Sequence, residues 1–321
     1  MIITLTAGAD LDVVKKALVE KGQWVKSLEG EGPRQLAVEP WSAAVPVADL
    51  RAIAGVAAVS SRKSERPRVD AQGPSVDVAG HVVSPQKPSL FSGPCCVESE
   101  LRVSRIAEAL GKLGVSFLRG GAFKPRTSPY AFQGHGEQAL RWMRKAADDN
   151  GMRVVTEVLA EGDVPLVSEY AQLLQVGSRN MQNFALLKAV GRAQKPVLLK
   201  RSMSATVEEW LLAGEYLLVH GATGVIFCER GIRGFDETTR NLLDLGAVAL
   251  LAHVHRLPVI VDPSHATGRR DLVLPLARAA LAAGAAGVMI ETHDDPGAAL
   301  SDGPQALPPE ALRSLAEEMS R

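Results

Sequence analysis

Short apolar runs alternate with segments of helical periodicity from Pro88 onwards. Apolar residues recur every three or four positions in the segments between the runs, as in Leu101–Leu113, Glu137–Asp148 and Leu272–Ala283. Runs this short predict strands buried on both faces, and the alternation predicts parallel strands connected by helices. The predicted strands are Leu90–Ser92, Val115–Leu118, Arg153–Thr156, Leu173–Val176, Val197–Leu199, Val225–Cys228, Val259–Val261 and Val288–Ile290.

Eight strands that alternate with helices are typical of an α/β fold, the (β/α)8 TIM barrel, which here spans residues 88–321. Doubly wound sheets alternate in the same way, but their first strand is followed by a Gly-x-Gly-x-x-Gly sequence. No such sequence follows Leu90–Ser92, and the barrel is therefore the favoured fold.

The first 65 residues have a different pattern, in the order strand, helix, strand, strand, helix, strand. This βαββαβ order predicts a small α+β domain of the ferredoxin-like type. Residues 66–87 are expected to be a linker and a short hairpin that turns at Ala79-Gly80. The predicted elements of the small domain are Ile2–Leu5, Leu11–Leu18, Trp24–Leu28, Gln35–Val38, Val47–Ile53 and Val56–Ser60.

Composition limits which binding partners and which cellular compartment are expected for this chain. The 36 basic and 36 acidic residues balance, so no bulk field attracts nucleic acid or an anionic membrane. No apolar run approaches the roughly 18 residues that span a bilayer, and residues 1–10 lack the features of a signal peptide. Three cysteines do not form a disulfide framework. We therefore expect a cytoplasmic protein.

Polar residues follow nearly every predicted barrel strand, where the active sites of such barrels lie. One of these stretches, Leu118–Tyr130, carries three cations interleaved with glycines and prolines. Arg and Lys on such loops suit phosphate and carboxylate groups, so a strongly anionic ligand is expected. The residues at the strand ends are Cys95, Arg119, Glu157, Gln175, Arg179, Lys200, Glu229, Arg230, Asp262, His265 and Glu291.

Two sets of side chains carry the candidate chemistry. Cys95, His265, Glu291 and Asp302 offer a thiolate, an imidazole and two carboxylates, which suit a divalent Mn, Fe, Co or Zn ion. The second set could bind a substrate pair with two phosphates and a carboxylate, although a Schiff base on Lys200 remains an alternative. It comprises Arg119, Lys124, Arg126, Arg179, Lys200 and Arg230.

Seven motifs in order resemble one family from about Ser89 to Leu307. They are Gly93-Pro94-Cys95, Arg119 to Pro129, Gly177-Ser178-Arg179-Asn180, Lys200-Arg201, Cys228-Glu229-Arg230-Gly231, Asp262-Pro263-Ser264-His265-Ala266-Thr267-Gly268 and Ser301-Asp302-Gly303-Pro304-Gln305. This combination resembles 3-deoxy-D-arabino-heptulosonate 7-phosphate (DAHP) synthases of the subtype related to KDO-8-phosphate synthase. Cys96, Ser178 and Ser202 depart from the family pattern without removing a functional group.

The resemblance implies that phosphoenolpyruvate condenses with erythrose 4-phosphate, the first step of the shikimate pathway. It implies metal ligation by Cys95, His265, Glu291 and Asp302, and catalytic roles for Lys124, His265 and Cys95. The implied substrate-binding residues are Arg119, Lys124, Arg126, Thr127, Ser128, Glu157, Arg179, Lys200, Arg230 and Asp262. Among them, residues 124–128 would hold erythrose 4-phosphate.

The resemblance also implies that the small domain is regulatory, with Tyr or Phe as the effector, in a homo-oligomer that is a dimer or a tetramer. Three other interpretations stay open at this stage. The chain could be a KDO-8-phosphate synthase that uses arabinose 5-phosphate, or a metal-independent Schiff-base aldolase. It could also be a non-catalytic sensor of aromatic amino acids that keeps the barrel as a scaffold.

Overall fold

The protein is described by a computed structural model that covers residues 1–28, 32–60, 64–124, 130 and 132–320. The chain forms two compact units, Met1–Glu65 and Arg66–Arg321. Within the described residues, no helix combines the length and the apolar character needed to cross a bilayer.

The first unit is a four-stranded sheet with two helices, as its sequence pattern predicts. Its strands are antiparallel in the order β2-β3-β1-β4, and apolar side chains such as Ile3, Leu18 and Leu36 form its own core. Asp10 begins the first helix by accepting backbone N–H bonds from Asp12 and Val13. The elements are β1 Ile2–Leu5, α1 Leu11–Glu20, β2 Val25–Leu28, β3 Gln35–Val38, α2 Val47–Arg51 and β4 Val56–Ser60.

The second unit contains a closed barrel of eight parallel strands, which confirms the predicted TIM barrel. The order around the barrel follows the chain, and the last strand pairs with the first. The strands are buried almost completely, which explains why they are apolar runs rather than alternating patterns. They are β7 Ser89–Gly93, β8 Phe117–Arg119, β9 Arg153–Glu157, β10 Leu173–Val176, β11 Pro196–Lys200, β12 Gly224–Glu229, β13 Val259–Val261 and β14 Gly287–Glu291.

Helices surround the barrel and cover the outer faces of its strands. Buried side chains on both, such as Ile106 and Trp210, form one continuous apolar layer between helices and strands. A short stretch of π-helix, Leu250–His255, directly follows the helix Leu245–Ala249. The helices are α4 Glu100–Gly111, α5 Glu137–Asp149, α6 Val164–Tyr170, α7 Phe184–Arg192, α8 Val207–Val219, α9 Leu245–Ala249, α10 Pro263–Thr267, α11 Arg270–Ala282 and α12 Arg313–Met319.

Residues 66–87 differ from the predicted linker, because they fold onto the barrel. Pro67–Gln72 is a helix (α3), and the buried carboxylate of Glu215 accepts the backbone N–H groups of Arg68 and Val69 at its first turn. A side chain 147 positions along the chain therefore caps this helix, and local sequence carries no sign of it.

The predicted hairpin does form, from β5 Val76–Val78 and β6 His81–Val83. Ala79 and Gly80 both have positive φ, at 50° and 78°, as a tight two-residue hairpin turn requires. Its apolar side chains pack in the barrel interior with Phe91 and Phe117, whose stacked rings lie 4.2 Å apart between centroids. The hairpin thus closes the end of the barrel opposite the carboxyl ends of the strands.

Candidate active site

Four predicted metal ligands come together at the carboxyl ends of three neighbouring strands. Cys95 follows β7, His265 lies in α10 just after β13, Glu291 ends β14, and Asp302 lies in the loop beyond it. One ligand atom from each residue lies within 4.8 Å of the other three. Residues far apart in the sequence therefore form one cluster because the barrel places these strands side by side.

Cys95 and Asp302 contact each other directly. The Cys95 thiol donates a hydrogen bond to Asp302 Oδ2 at 2.8 Å, and Lys124 Nζ donates to the Cys95 sulfur at 2.7 Å. Burial, with a further contribution from the Glu291 carboxylate, raises the pKa of the Cys95 thiol to about 12. The thiol is therefore protonated here, and a bound cation would have to displace that proton.

Among the described residues, one carboxylate oxygen of Glu291 accepts a hydrogen bond and the other has no hydrogen-bond partner. Oε2 accepts a hydrogen bond from Gln305 at 2.9 Å and lies 3.4 Å from His265 Nε2. Oε1 is buried and has no hydrogen-bond partner in the described part of the chain. Burial raises the pKa of the Glu291 carboxyl to about 7, although Arg119 opposes the shift. A buried orphan oxygen beside three other donors is what an absent cation would leave.

Asp262 orients the histidine of this cluster. Its Oδ2 lies 2.8 Å from His265 Nδ1 and also accepts a hydrogen bond from Lys200, while Oδ1 accepts the His265 backbone N–H. Because Nδ1 donates its proton to Asp262, the lone pair of Nε2 faces the cluster. Burial opposes ionisation of Asp262, but His265 and Lys200 outweigh it and hold its pKa well below the usual range.

The donor set fits a divalent ion. One sulfur, one imidazole nitrogen and two carboxylates are ligands that Mn, Fe, Co and Zn accept. Burial lowers the pKa of His265 to about 3, so its ring is neutral and able to ligate. The geometry and the orphan oxygen of Glu291 support a resident metal without identifying which one.

A cavity of about 220 Å³ opens beside the cluster, and cations line much of it. Glu157 and Gln175 form part of the wall, and Gly177 has no side chain there: a Cβ on it would lie 1.9 Å from Glu157 Oε1. Predicted substrate-binding residues that line the cavity are Arg119, Lys124, Glu157, Arg179, Lys200 and Arg230.

Two of these arginines are buried with few partners. Arg119 Nη1 donates to the carbonyl of Pro94 at 3.0 Å and lies 3.9 Å from Glu291 Oε2. Arg230 Nη1 is buried with no hydrogen-bond partner among the described residues, and burial lowers its pKa although Asp262 opposes this. An unpaired guanidinium nitrogen at a cavity wall is a strong anion-binding group, because binding an anion would remove the cost of its burial.

The sequence prediction overlooked some residues and included some that do not line the cavity. Arg240 lines the cavity, 3.6 Å from Asp302 Oδ1, yet it lies in an irregular loop that no strand-end rule selects. Glu229 follows the rule but faces Arg201, with which it forms a buried ion pair at 3.0 Å. Arg126, Thr127 and Ser128 lie outside the described residues, so their predicted role stays a prediction.

Comparison with known proteins agrees with this geometry. A family model described as the DAHP synthetase I family matches residues 81–321. A phospho-2-dehydro-3-deoxyheptonate aldolase from Thermotoga maritima is 53% identical over 233 residues, covering 73% of this chain and 69% of that protein. A 2-dehydro-3-deoxyphosphooctonate aldolase from Acidithiobacillus ferrooxidans is 32% identical over 238 residues, covering 68% and 83% respectively.

Solved structures extend the similarity to the first unit. The crystal structure of phospho-2-dehydro-3-deoxyheptonate aldolase (DAHP synthase) from Thermotoga maritima matches with a TM-score of 0.77 and 40% identity, covering 99% of this chain and 96% of that one. A truncated form of the Thermotoga maritima synthase matches with a TM-score of 0.72 and 46% identity over 78% of this chain and 92% of that one. By the extent of these matches, the chain belongs to the DAHP synthetase I family and is an enzyme with DAHP synthase function.

Proposed function

We propose that the cavity condenses phosphoenolpyruvate with erythrose 4-phosphate and water, releasing DAHP and phosphate, with the help of a divalent metal ion. The single observation that supports this most is the position of the four-ligand cluster beside a cavity lined by Arg230, whose buried Nη1 has no hydrogen-bond partner among the residues that the structure describes. A metal site and an anion site at one barrel mouth suit an anionic donor and a carbonyl acceptor.

Phosphoenolpyruvate is assigned to the cationic wall of Arg119, Arg179, Lys200 and Arg230. Arg offers a planar fork that pairs with carboxylate or phosphate oxygens, and these groups are already held by the rigid ends of strands. The positive charges would also stabilise the charge that develops on the donor as its third carbon bonds to the aldehyde. When bound, the metal would polarise the aldehyde oxygen as a Lewis acid.

Lys124 is the residue we assign to proton transfer. Its Nζ donates to the sulfur and the carbonyl oxygen of Cys95, at 2.7 and 3.1 Å, and it also lines the cavity. Burial lowers the pKa of Lys124, but its contacts with Cys95 outweigh this and raise it, so the ammonium is the resident form. His265 suits this role less well, because its Nδ1 is bonded to Asp262 and its Nε2 faces the metal ligands.

Residues 124–128 are assigned to the phosphate of erythrose 4-phosphate on the strength of their sequence motif alone. An Arg126→Ala variant should raise the Michaelis constant for erythrose 4-phosphate while leaving that for phosphoenolpyruvate nearly unchanged. Steady-state kinetics on a folded, metal-loaded variant measures both constants. An unchanged constant for the sugar phosphate would contradict the assignment.

The experiment that tests the whole proposal is phosphate release from phosphoenolpyruvate, measured with each aldose phosphate and with or without a chelator. We expect turnover with erythrose 4-phosphate, loss of turnover in chelator, and recovery when a divalent metal is added. Turnover only with arabinose 5-phosphate would instead indicate a KDO-8-phosphate synthase. Full turnover in chelator would contradict the metal.

A Schiff-base mechanism on Lys200 is the second candidate, because this lysine ends a buried strand. The Lys200 nitrogen is already held by the carboxylate of Asp262, so it is not free to attack a carbonyl group. Borohydride with phosphoenolpyruvate should therefore leave Lys200 unmodified. Covalent trapping at this residue, detected by peptide mass spectrometry, would favour the alternative.

The first unit is proposed to regulate the barrel. Its support is a separate fold with its own core, and a match to the Thermotoga maritima crystal structure that covers 99% of this chain and so includes the first unit. We propose Tyr or Phe as the effector, in a cytoplasmic homo-oligomer. Inhibition assays with each amino acid and the mass in solution test these points separately.

A further inference from the structure

Glu98 lies three residues after Cys95 and connects the segments that carry two of the proposed metal ligands. Its side chain is 8% exposed and does not line the cavity. Oε1 accepts the backbone N–H of Leu300 at 2.7 Å, and Oε2 accepts from Arg102 Nη1 at 2.8 Å. Leu300 stands two residues before Asp302, so one carboxylate joins the loop after the first barrel strand to the loop after the last.

The Glu98 carboxylate also contacts the beginning of the loop that follows the last barrel strand. His293 is buried, its Nδ1 accepts the backbone N–H of Asp295 at 3.0 Å, and Arg102 Nη1 lies 3.0 Å from its Nε2. That nitrogen lies 3.4 Å from Glu98 Oε2. Arg102 adds a contact with Asp294 at 3.4 Å. Glu98, Arg102 and His293 therefore form a cluster, here called the loop latch, that holds residues 293–300 at both ends.

Asp302 needs such support because its backbone is strained. Its φ is +54°, in the left-handed region that residues other than glycine rarely adopt. Residues next to the latch continue the connection toward the ligands: Cys96 Sγ lies 3.1 Å from Ser301 Oγ, and the Cys95 thiol bonds to Asp302. Residues 95–98 and 300–302 thus run antiparallel. The contacts between them continue from Glu98 to the proposed metal ligands Cys95 and Asp302.

We propose that the loop latch positions Asp302 and thereby sets the affinity of the site for a divalent metal, without contributing to substrate binding. Glu98 is a positioning residue in this account, since it contacts neither the cavity nor a ligand atom of the cluster. The inference rests on the metal centre of the proposed function. Outer groups that orient ligands typically change metal affinity 10–100-fold when they are removed.

The test uses the full-length protein, stripped of metal, and the variant Glu98→Gln, which keeps the size of the side chain but removes its charge. Co²⁺ is titrated in and followed by the thiolate-to-cobalt absorption band and by calorimetry. Glu108→Gln is the matched control, because Glu108 lies on the nearby helix α4 in an exposed pair with Lys112. We expect the Co²⁺ dissociation constant to rise about 10–100-fold in Glu98→Gln and to stay unchanged in the control.

Turnover separates positioning from a general structural role. At saturating metal, Glu98→Gln should recover kcat to within about twofold, with an unchanged KM for phosphoenolpyruvate, because the defect lies in metal affinity. Hydrogen exchange of the peptide spanning 293–302 in the metal-free variant should be faster, since the Leu300 amide loses an ionised acceptor. An unchanged dissociation constant, or a lower kcat that excess metal does not restore, overturns the proposal.

If Glu98→Gln fails to fold, the same Co²⁺ titration is carried out on His293→Gln. An unchanged dissociation constant in that variant overturns the proposal. Failure of the latch and failure of the proposed function are distinguishable. If the wild-type protein binds no Co²⁺, the metal centre of the proposed function is contradicted, and the role of the loop latch is contradicted with it. If the wild-type protein and the folded latch variant bind Co²⁺ with the same affinity, only the role of the loop latch is contradicted.

Discussion

At the scale of single residues, Asp262 is connected to both halves of the site. The same carboxylate oxygen bonds Lys200 of the cationic wall and His265 of the metal cluster. A change at Asp262 should therefore act on both the proposed anion site and the proposed metal site.

We expect Asp262→Asn to lower metal affinity about 10–100-fold, because the amide cannot hold His265 in the ligating tautomer as strongly. It should also raise the KM for phosphoenolpyruvate, because Lys200 loses its charged partner and its fixed position. Metal titration and steady-state kinetics measure the two effects. A variant in which only one of them changes would show that the halves are not coupled through this residue.

The ionisable ligands predict that metal binding depends on pH. The pKa of Glu291 is raised to about 7 and that of Cys95 to about 12, and both must lose a proton to ligate, whereas His265, with a pKa of about 3, has none to lose. Binding should release about two protons at pH 6 and about one at pH 8. Calorimetry in buffers of different ionisation enthalpy counts them. Equal release at both pH values would contradict the raised pKa of Glu291.

The same shift has a consequence for stability. The folded-state pKa of Glu291 lies above the ordinary value of 4.5, so the folded, metal-free protein binds more protons than the unfolded chain between pH 4.5 and 7. The contribution of this group is thus complete below pH 4.5 and is lost as the pH rises through 7. Added metal should restore stability most strongly at the upper end of this range.

Sequence predicted the metal cluster because strand ends in a barrel must converge, wherever they lie in the chain. It did not predict the partners of those residues. Glu229 satisfies the same rule as Glu291, yet it pairs with Arg201 Nη1, which also contacts the Asp244 carboxylate at 2.9 Å. Which carboxylate faces the cavity depends on side-chain neighbours from other loops, and no local pattern encodes them.

At the scale of elements, the barrel strands were predicted to within a residue or two because each is a buried, mostly apolar run between polar ends. Helix α3 was missed for the opposite reason. It is short, its only strong local signal is Pro67 at the first position, and its cap is the distant Glu215. The loop latch was missed too, since its residues lie just before α4, in α4 and just after β14, and only the closed barrel brings these segments together.

The hairpin β5–β6 gives an element-scale prediction. Val78 is fully buried in the barrel interior, whereas Val82 on the same hairpin is 50% exposed. Val78→Ala should lower the free energy of unfolding by about 1–3 kcal/mol, because it leaves a cavity among Phe91, Phe117 and their neighbours. Denaturant unfolding of both variants checks this, with Val82→Ala as the control. Equal losses would mean that the hairpin does not contribute to the interior.

At the scale of the whole molecule, the division into units sets where a truncation should begin. A chain that starts at Pro88 would lack α3 and the hairpin, both of which pack on the barrel, whereas one that starts at Ser64 keeps them. We expect the chain from Ser64 to retain turnover and to lose inhibition by Tyr or Phe. Equally strong inhibition of the full-length chain and of the chain from Ser64 would contradict a regulatory role for the first unit.

The position of the four-ligand cluster has a further consequence for the lifetime of the fold. Its ligands lie at or beyond the carboxyl ends of β13, β14 and β7, so the cluster straddles the seam where the last strand of the barrel meets the first. A metal there would act as a non-covalent staple between Cys95 and Asp302, which are 207 positions apart. Such a staple opposes the opening of the barrel along its seam, and it would be lost in the unfolded chain. Unfolding in denaturant should therefore be slower with bound metal than in chelator, even in a variant such as Arg230→Ala that has lost an anion-binding group.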